Sequence, residues 1–262
     1  NISKTGVFSM KETIIVEKKK IKLKKGVLVT GLPGIGLIGR TVGRYMAEEL
    51  KGEKIAELYS PYFPHQVFMT KKGGIRLIKN TIYLVKCKKR DMVILTGDVQ
   101  ALSSKGQYEV AGKILDYAEK IGAELVLTIG GYSTGKLNEK RRLYGVATHE
   151  EVMKWLKENG VEFGIARGSI VGAAGLVPAL AKLRNIKGAC LMGETHGGYV
   201  DVKAANEMVG LLARLLGFVI DTKKLETKAK EGEKILKKIE EEVQKNMITP
   251  YEPTGGSVSY IR

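Results

Sequence analysis

The chain has 262 residues, 44% of them hydrophobic and 27% charged, which is the composition of one main globular domain and excludes a disordered or low-complexity chain. A formal charge of +16 admits nucleic acid or an acidic protein as partner, but the basic runs at 17–25, 86–90 and 136–142 carry no interleaved aromatics to stack bases, so nucleic acid is not expected. Two cysteines, Cys87 and Cys190, in strand-like apolar runs, and the lack of any apolar run of about 18 residues, exclude a disulfide scaffold and a membrane span and point to a cytoplasmic protein.

Residues 1–9 precede Met10 and lack a signal-peptide pattern, so they are expected to lie ahead of the natural start, with an α/β domain over 10–221. Short Val/Ile-rich runs predict strands near 12–16, 26–31, 54–60, 75–79, 81–87, 92–97, 124–130, 161–171 and 188–193. Helical spacing falls between them at 36–50, 104–121, 149–159, 174–185 and 202–216. Strands alternating with helices predict a layered mixed sheet flanked by helices, and "IRLIKNTIYLVKC" predicts a hairpin turning at Lys79-Asn80. Thr148 with Glu151 forms a capping-box pattern ahead of one helix, and Asp201 is placed to cap another.

Four strands end in glycine: "LVTG" (28–31), "ILTG" (94–97), "LTIGG" (127–131) and "LMGE" (191–194). If they are parallel, their ends share one sheet edge, where α/β folds form a binding crevice. The first runs into Gly34-Ile35-Gly36-Leu37-Ile38-Gly39, formally a dinucleotide fingerprint. Pro33 stands in the turn that would wrap a pyrophosphate, and Glu57, at the distance of a ribose ligand, reads as mid-strand, so close strand–helix packing explains the glycines better. No Gly-Lys-Ser/Thr phosphate loop is present.

Gly131-Tyr132-Ser133-Thr134-Gly135 matches a nucleophile elbow, but "KLNEKRRLYG" follows where a helix is required and no histidine follows Asp201. His65, His149 and His196 are too scattered for a metal site, and "GETHGGYVD" (193–201) gathers Glu194, His196 and Asp201 in a loop better suited to turning and capping. Neither metal nor cofactor is expected.

After Asp221 the composition shifts to a charged helix over 222–246, in which Leu225, Ala229, Leu236, Ile239 and Val243 form a heptad-like seam broken by Gly232. That narrow stripe needs a partner, either its own domain or a neighbouring subunit. Residues 247–262, with two prolines and Gly-Gly, predict a flexible tail that ends in Val258, Tyr260, Ile261 and Arg262.

Taken in order, "GLPGIGLIGR", "ILTGDVQ", "LTIGGYSTG" and "GETHGGYVDVKAANEMVGLLARLLG" ahead of a charged C-terminal helix resemble the proteasome assembly chaperone family in its archaeal branch, over about residues 12–246. The resemblance implies a fold similar to nucleoside phosphorylases and related hydrolases, no catalysis, and a homo-oligomer, with or without a paralogue. It also implies binding to the α subunits of the archaeal proteasome core particle, as an assembly chaperone or as an ATP-independent activator. Activators in this family dock through a terminal hydrophobic-Tyr-any-residue tail; here Tyr260 is third from the end and Ser259 precedes it, with Val258 one step back. Abundant Lys and Glu with few Gln and Cys fit a thermophile. The alternative is a small-molecule enzyme or nucleotide-binding protein, nucleoside hydrolase-like, using a crevice at Gly34, Gly36, Asp98, Ser133, Glu194 and His196.

Overall fold

A computed structural model of the chain describes residues 10–87, 90–134, 140–164, 168–225, 227 and 241. In chain order the elements are β1 (Ile14–Glu17), β2 (Gly26–Gly31), α1 (Ile38–Glu49), β3 (Glu53–Tyr59), β4 (Val67–Met69), β5 (Ile75–Leu77), β6 (Asn80–Val85) and β7 (Met92–Gly97). There follow α2 (Ser104–Ile121), β8 (Ala123–Ser133), β9 (Leu143–Ala147), α3 (Glu150–Glu158), α4 (Ala173–Leu183), β10 (Lys187–Thr195) and α5 (Val202–Leu216).

Eight strands form one mixed sheet in the order β1-β3-β6-β7-β2-β8-β10-β9. The four central strands β7, β2, β8 and β10 are mutually parallel. They are the four with glycine near their C-terminal ends, and those ends line one sheet edge. The outer strands β1, β3, β6 and β9 run antiparallel to their neighbours. This is the layered mixed sheet expected from the sequence.

Strand alternation divides the apolar side chains between two cores. Leu28, Val93, Leu95 and Val126 face α2 and α4. Val27, Val29, Ile94 and Leu127 face α1, α3 and α5. Continuous Val/Ile/Leu runs in the central strands thus reflect helices on both faces. Helix ends follow local chemistry: Ser103 Oγ accepts from Gly106 N at 3.1 Å to start α2, and Gly122 and Gly217 close α2 and α5 in the left-handed region.

Four expectations need correction. There is no hairpin at Lys79-Asn80: β5 pairs with β4 as a separate two-stranded sheet, while β6 inserts between β3 and β7. β4 and β9 form where no strand was expected. No strand spans 161–171; in its described part only Glu162 bridges to Tyr144, and Gly164 and Gly168 take positive φ, which breaks an extended run. Finally, Thr148 does not cap α3. His149 occupies the N-cap without a side-chain capping bond, and its Nδ1 lies 2.7 Å from the Thr148 hydroxyl, which is itself engaged with Gly188, 3.0 Å from its carbonyl and accepting from its N–H at 2.8 Å.

The small β4–β5 sheet has two unlike faces. Arg76 lies over the Phe68 ring at 4.1 Å and pairs with Asp98 at 2.6 Å, which fastens that face to the body. Val67, Met69, Ile75 and Leu77 all project from the other face and are exposed.

Candidate functional site

The loop from β2 into α1 decides how the crevice can be used. A Cβ on Gly31 would strike the carbonyl of Gly39, and one on Gly39 would lie 2.5 Å from the carbonyl of Ile129 and 2.8 Å from that of Leu32. Gly36 takes φ of 63°, and a Cβ there would lie 2.7 Å from Thr195 Oγ1. These glycines let α1 sit against β2 and β8 and let the turn meet the end of β10. They are occupied by the protein itself and are not held open for a pyrophosphate. Gly34 differs: a Cβ there would meet only Gln100 Nε2 at 3.9 Å.

Gly34 faces a cavity of about 530 Å³ on the α2/α4 side of the strand ends. Thr30 and Gly130 floor it, Gln100 and Gln107 form one wall, and residues 168–174 at the start of α4 form another. Gln100 is a strut: its Nε2 donates to the Pro33 carbonyl at 2.5 Å and its Oε1 accepts from Ala173 N at 2.9 Å, tying the glycine loop to α4.

Charged residues cluster at the same sheet edge but outside that cavity. Asp201 caps α5, accepting from Ala204 N at 3.0 Å, and pairs with buried Arg141 at 3.1 Å. Glu194, fully buried, accepts from Arg142 Nη2 at 3.3 Å, from the Arg142 backbone N–H at 3.2 Å and from Thr134 Oγ1 at 3.2 Å. Asp98 binds Arg76 and the Lys79 N–H. Arg40 in the first turn of α1 is buried and donates from Nε to the Gly97 carbonyl at 3.0 Å; burial, with Arg44 nearby, lowers its pKa to about 10. The ion pairs fasten Asp201 at the start of α5, Glu194 near the end of β10 and Asp98 just after β7 to neighbouring segments.

Of the six residues named for a catalytic crevice, Gly34 and Ser133 line the cavity. Gly36 lies beneath Thr195, and Asp98 and Glu194 are held in the ion pairs above. His196 stacks on Tyr199 at 6.0 Å, while its backbone carbonyl accepts from Ser133 Oγ at 3.2 Å. Ser133 therefore hydrogen-bonds a carbonyl, not an imidazole. Glu57 lies within β3 and is saturated by lysines, which leaves no room for a ribose. Burial pushes the Cys190 thiol up to about 11, so it is packing material. No group of three or more His, Cys, Asp or Glu placed to hold a metal occurs among the described residues.

Sequence reasoning missed Thr30, Gln100, Gln107 and the Arg141–Asp201 pair. A usable signal existed for the glutamines: the chain has only four, and two follow closely on β7. Of the seam, Leu225 is buried in the core shared with α1 and α5. Ala229, Leu236, Ile239 and Val243 lie outside the described residues, as do Val258, Tyr260, Ile261 and Arg262.

Comparison with known proteins places this architecture. The PAC2 family profile matches residues 28–240. The chain belongs to the PAC2 family. This PAC2 protein is 40% identical to PbaB of Pyrococcus furiosus, described as an archaeal proteasome activator; the superposition covers 88% of this chain and 100% of PbaB with a TM-score of 0.78. PbaA of the same organism, described as an archaeal homolog of proteasome-assembly chaperone, is 26% identical over 90% of this chain and 99% of its own, with a TM-score of 0.74. An uncharacterised protein of Methanocaldococcus jannaschii is 39% identical over 226 residues, covering 85% of this chain and 87% of that one. The resemblance read from the four glycine motifs is therefore upheld, and the Lys/Glu-rich composition agrees with the thermophilic archaea that supply these relatives.

Proposed function

We propose that this PAC2 protein is a non-catalytic binding partner of the archaeal proteasome core particle, acting on its α subunits or assembled α ring as an ATP-independent activator or an assembly chaperone. The observation that carries the reading is the likeness to PbaB, in sequence and in fold over nearly the whole domain. The higher identity to PbaB than to PbaA favours activation. A protein-binding role also suits the exposed apolar face of Val67, Met69, Ile75 and Leu77, since contiguous apolar surface marks interaction sites. The described cavity lining offers no carboxylate, imidazole, thiol or amine for acid–base or nucleophilic chemistry, which weighs against the enzyme alternative.

In this reading the protein works in the cytoplasm as an oligomer of its own chain, alone or with a paralogue. The terminal Val258, Tyr260, Ile261 and Arg262 form a short docking tail whose weak individual contacts are multiplied by the oligomer. Capture of purified archaeal core particle and of free α subunits, by the full chain and by a chain lacking 258–262, tests this. Tail-dependent capture of assembled particle with faster peptide hydrolysis is expected. Capture of free α subunits alone would mark an assembly chaperone, and capture of neither would remove the proteasome reading.

A further inference from the structure

The cavity beside Gly34 has a chemistry of its own. In a chain that is 27% charged, none of its described lining residues carries a formal charge at neutral pH. Its body is apolar, with Leu32, Ile35, Ile129, Ile170 and Met192 among the lining. Its volume falls within the ~300–1,000 Å³ of small-molecule sites. It is also built: the Gln100 strut fixes one wall, and glycine at 34 and 130 keeps space open, since a Cβ on Gly130 would lie 3.4 Å from Ala174 Cβ and 3.8 Å from Met192 Cγ.

Polar groups are set into this apolar lining, among them the hydroxyl of Thr30 and the amide of Gln107. The Thr30 residue is 3% exposed as a whole and lines the cavity with its hydroxyl-bearing side chain. The neighbouring Thr128 hydroxyl, on the paired strand, donates to the Ala174 carbonyl at 2.5 Å. Gln107 spends its Nε2 on the Ala101 carbonyl, which leaves its side-chain oxygen as an acceptor at the wall. The Thr30 hydroxyl is not among the side-chain atoms sealed in without a partner; it opens on the cavity, where a guest can hydrogen-bond to it.

We propose that this cavity binds an uncharged small molecule, with a compact apolar body and a hydroxyl or amide group that reaches Thr30. Charge is excluded because an ion placed here would lose its hydration with no counter-charge among the described lining residues. Nucleotides and carboxylic acids are thereby rejected. The site is additional to proteasome binding and is tested without it.

The test is a titration of the ¹⁵N-labelled full chain with benzamide, nicotinamide and indole-3-acetamide, each beside its matched acid, at about 10 mM as fragments of this size require. At least one amide should shift the Thr30, Gly130 and Ser133 backbone resonances, with its acid bound at least about tenfold more weakly. Thr30→Val keeps the shape and should weaken the amide roughly fivefold. Gly130→Leu fills the floor and should abolish binding; resonances far from the cavity report whether either variant stays folded. The proposal fails if no amide reaches these resonances, if the acids bind as well, or if binding survives intact in a folded variant of either kind.

Discussion

Glu57 shows how one side chain can carry an acid sensitivity. Its carboxylate is nearly buried in β3 and meets Lys79, Lys54 at 3.1 Å and Lys18 at 3.5 Å, while Tyr59 donates its hydroxyl at 3.2 Å. Burial alone would raise its pKa, but the hydrogen bonds from Lys79 and Lys54 outweigh it and hold the group at about 2. A carboxylate depressed in the folded state stabilises the protein above its unfolded pKa of 4.5, and that contribution is lost as the pH falls towards 2. Glu57→Gln should therefore cost on the order of 3 kcal/mol at pH 7 and nearly nothing near pH 2. Denaturant titrations across that range check it; a deficit of the same size at every pH would assign the loss to packing instead.

At the scale of elements, the contact between α1 and the sheet depends on absent side chains. Gly39→Ala places a methyl group 2.5 Å from the Ile129 carbonyl, so β8 and α1 must separate, at on the order of 3 kcal/mol and a melting point lower by roughly 6–12 °C. Gly34→Ala meets open space at an extended φ of −171° and should be neutral or slightly stabilising. Calorimetry on the pair checks both, and equal losses would contradict the packing account. The same glycines explain what was legible. Strands ending in glycine announced the parallel edge, because central strands are apolar throughout and stop where a helix must approach closely. The segment 161–171 misled because Val161, Phe163 and Ile170 are apolar enough for a strand, while Gly164 and Gly168 turn the backbone out of one. β9 was obscured by the basic run "KLNEKRR" before it, and β4 is too short to show a period, whereas β5 falls within the strand expected at 75–79.

On the whole molecule, 44 basic residues face 28 acidic ones, and several carboxylates are already spent on internal pairs such as those of Glu57, Glu194 and Asp201. The surplus positive field should steer the chain towards an acidic partner. Its association rate with the core particle should fall at least about tenfold between low salt and ~0.5 M, with the dissociation rate little changed. Stopped-flow measurement checks this, and a rate indifferent to salt would leave the apolar surface to account for docking. The candidate cavity was the least legible part at this scale. Its edge could be placed from the glycines, but Thr30, Gln107, Gly130 and Ile170 come from four separate segments that only the closed sheet brings together.

The strand order also sets a timetable for synthesis. β2 lies at the centre of the sheet, where Val27 is flanked by Met92 on one side and Leu125 on the other. A ribosome adding about 5–20 residues per second leaves the first central strand without either neighbour for several seconds. During that interval its two open edges are the nascent chain's most vulnerable surface.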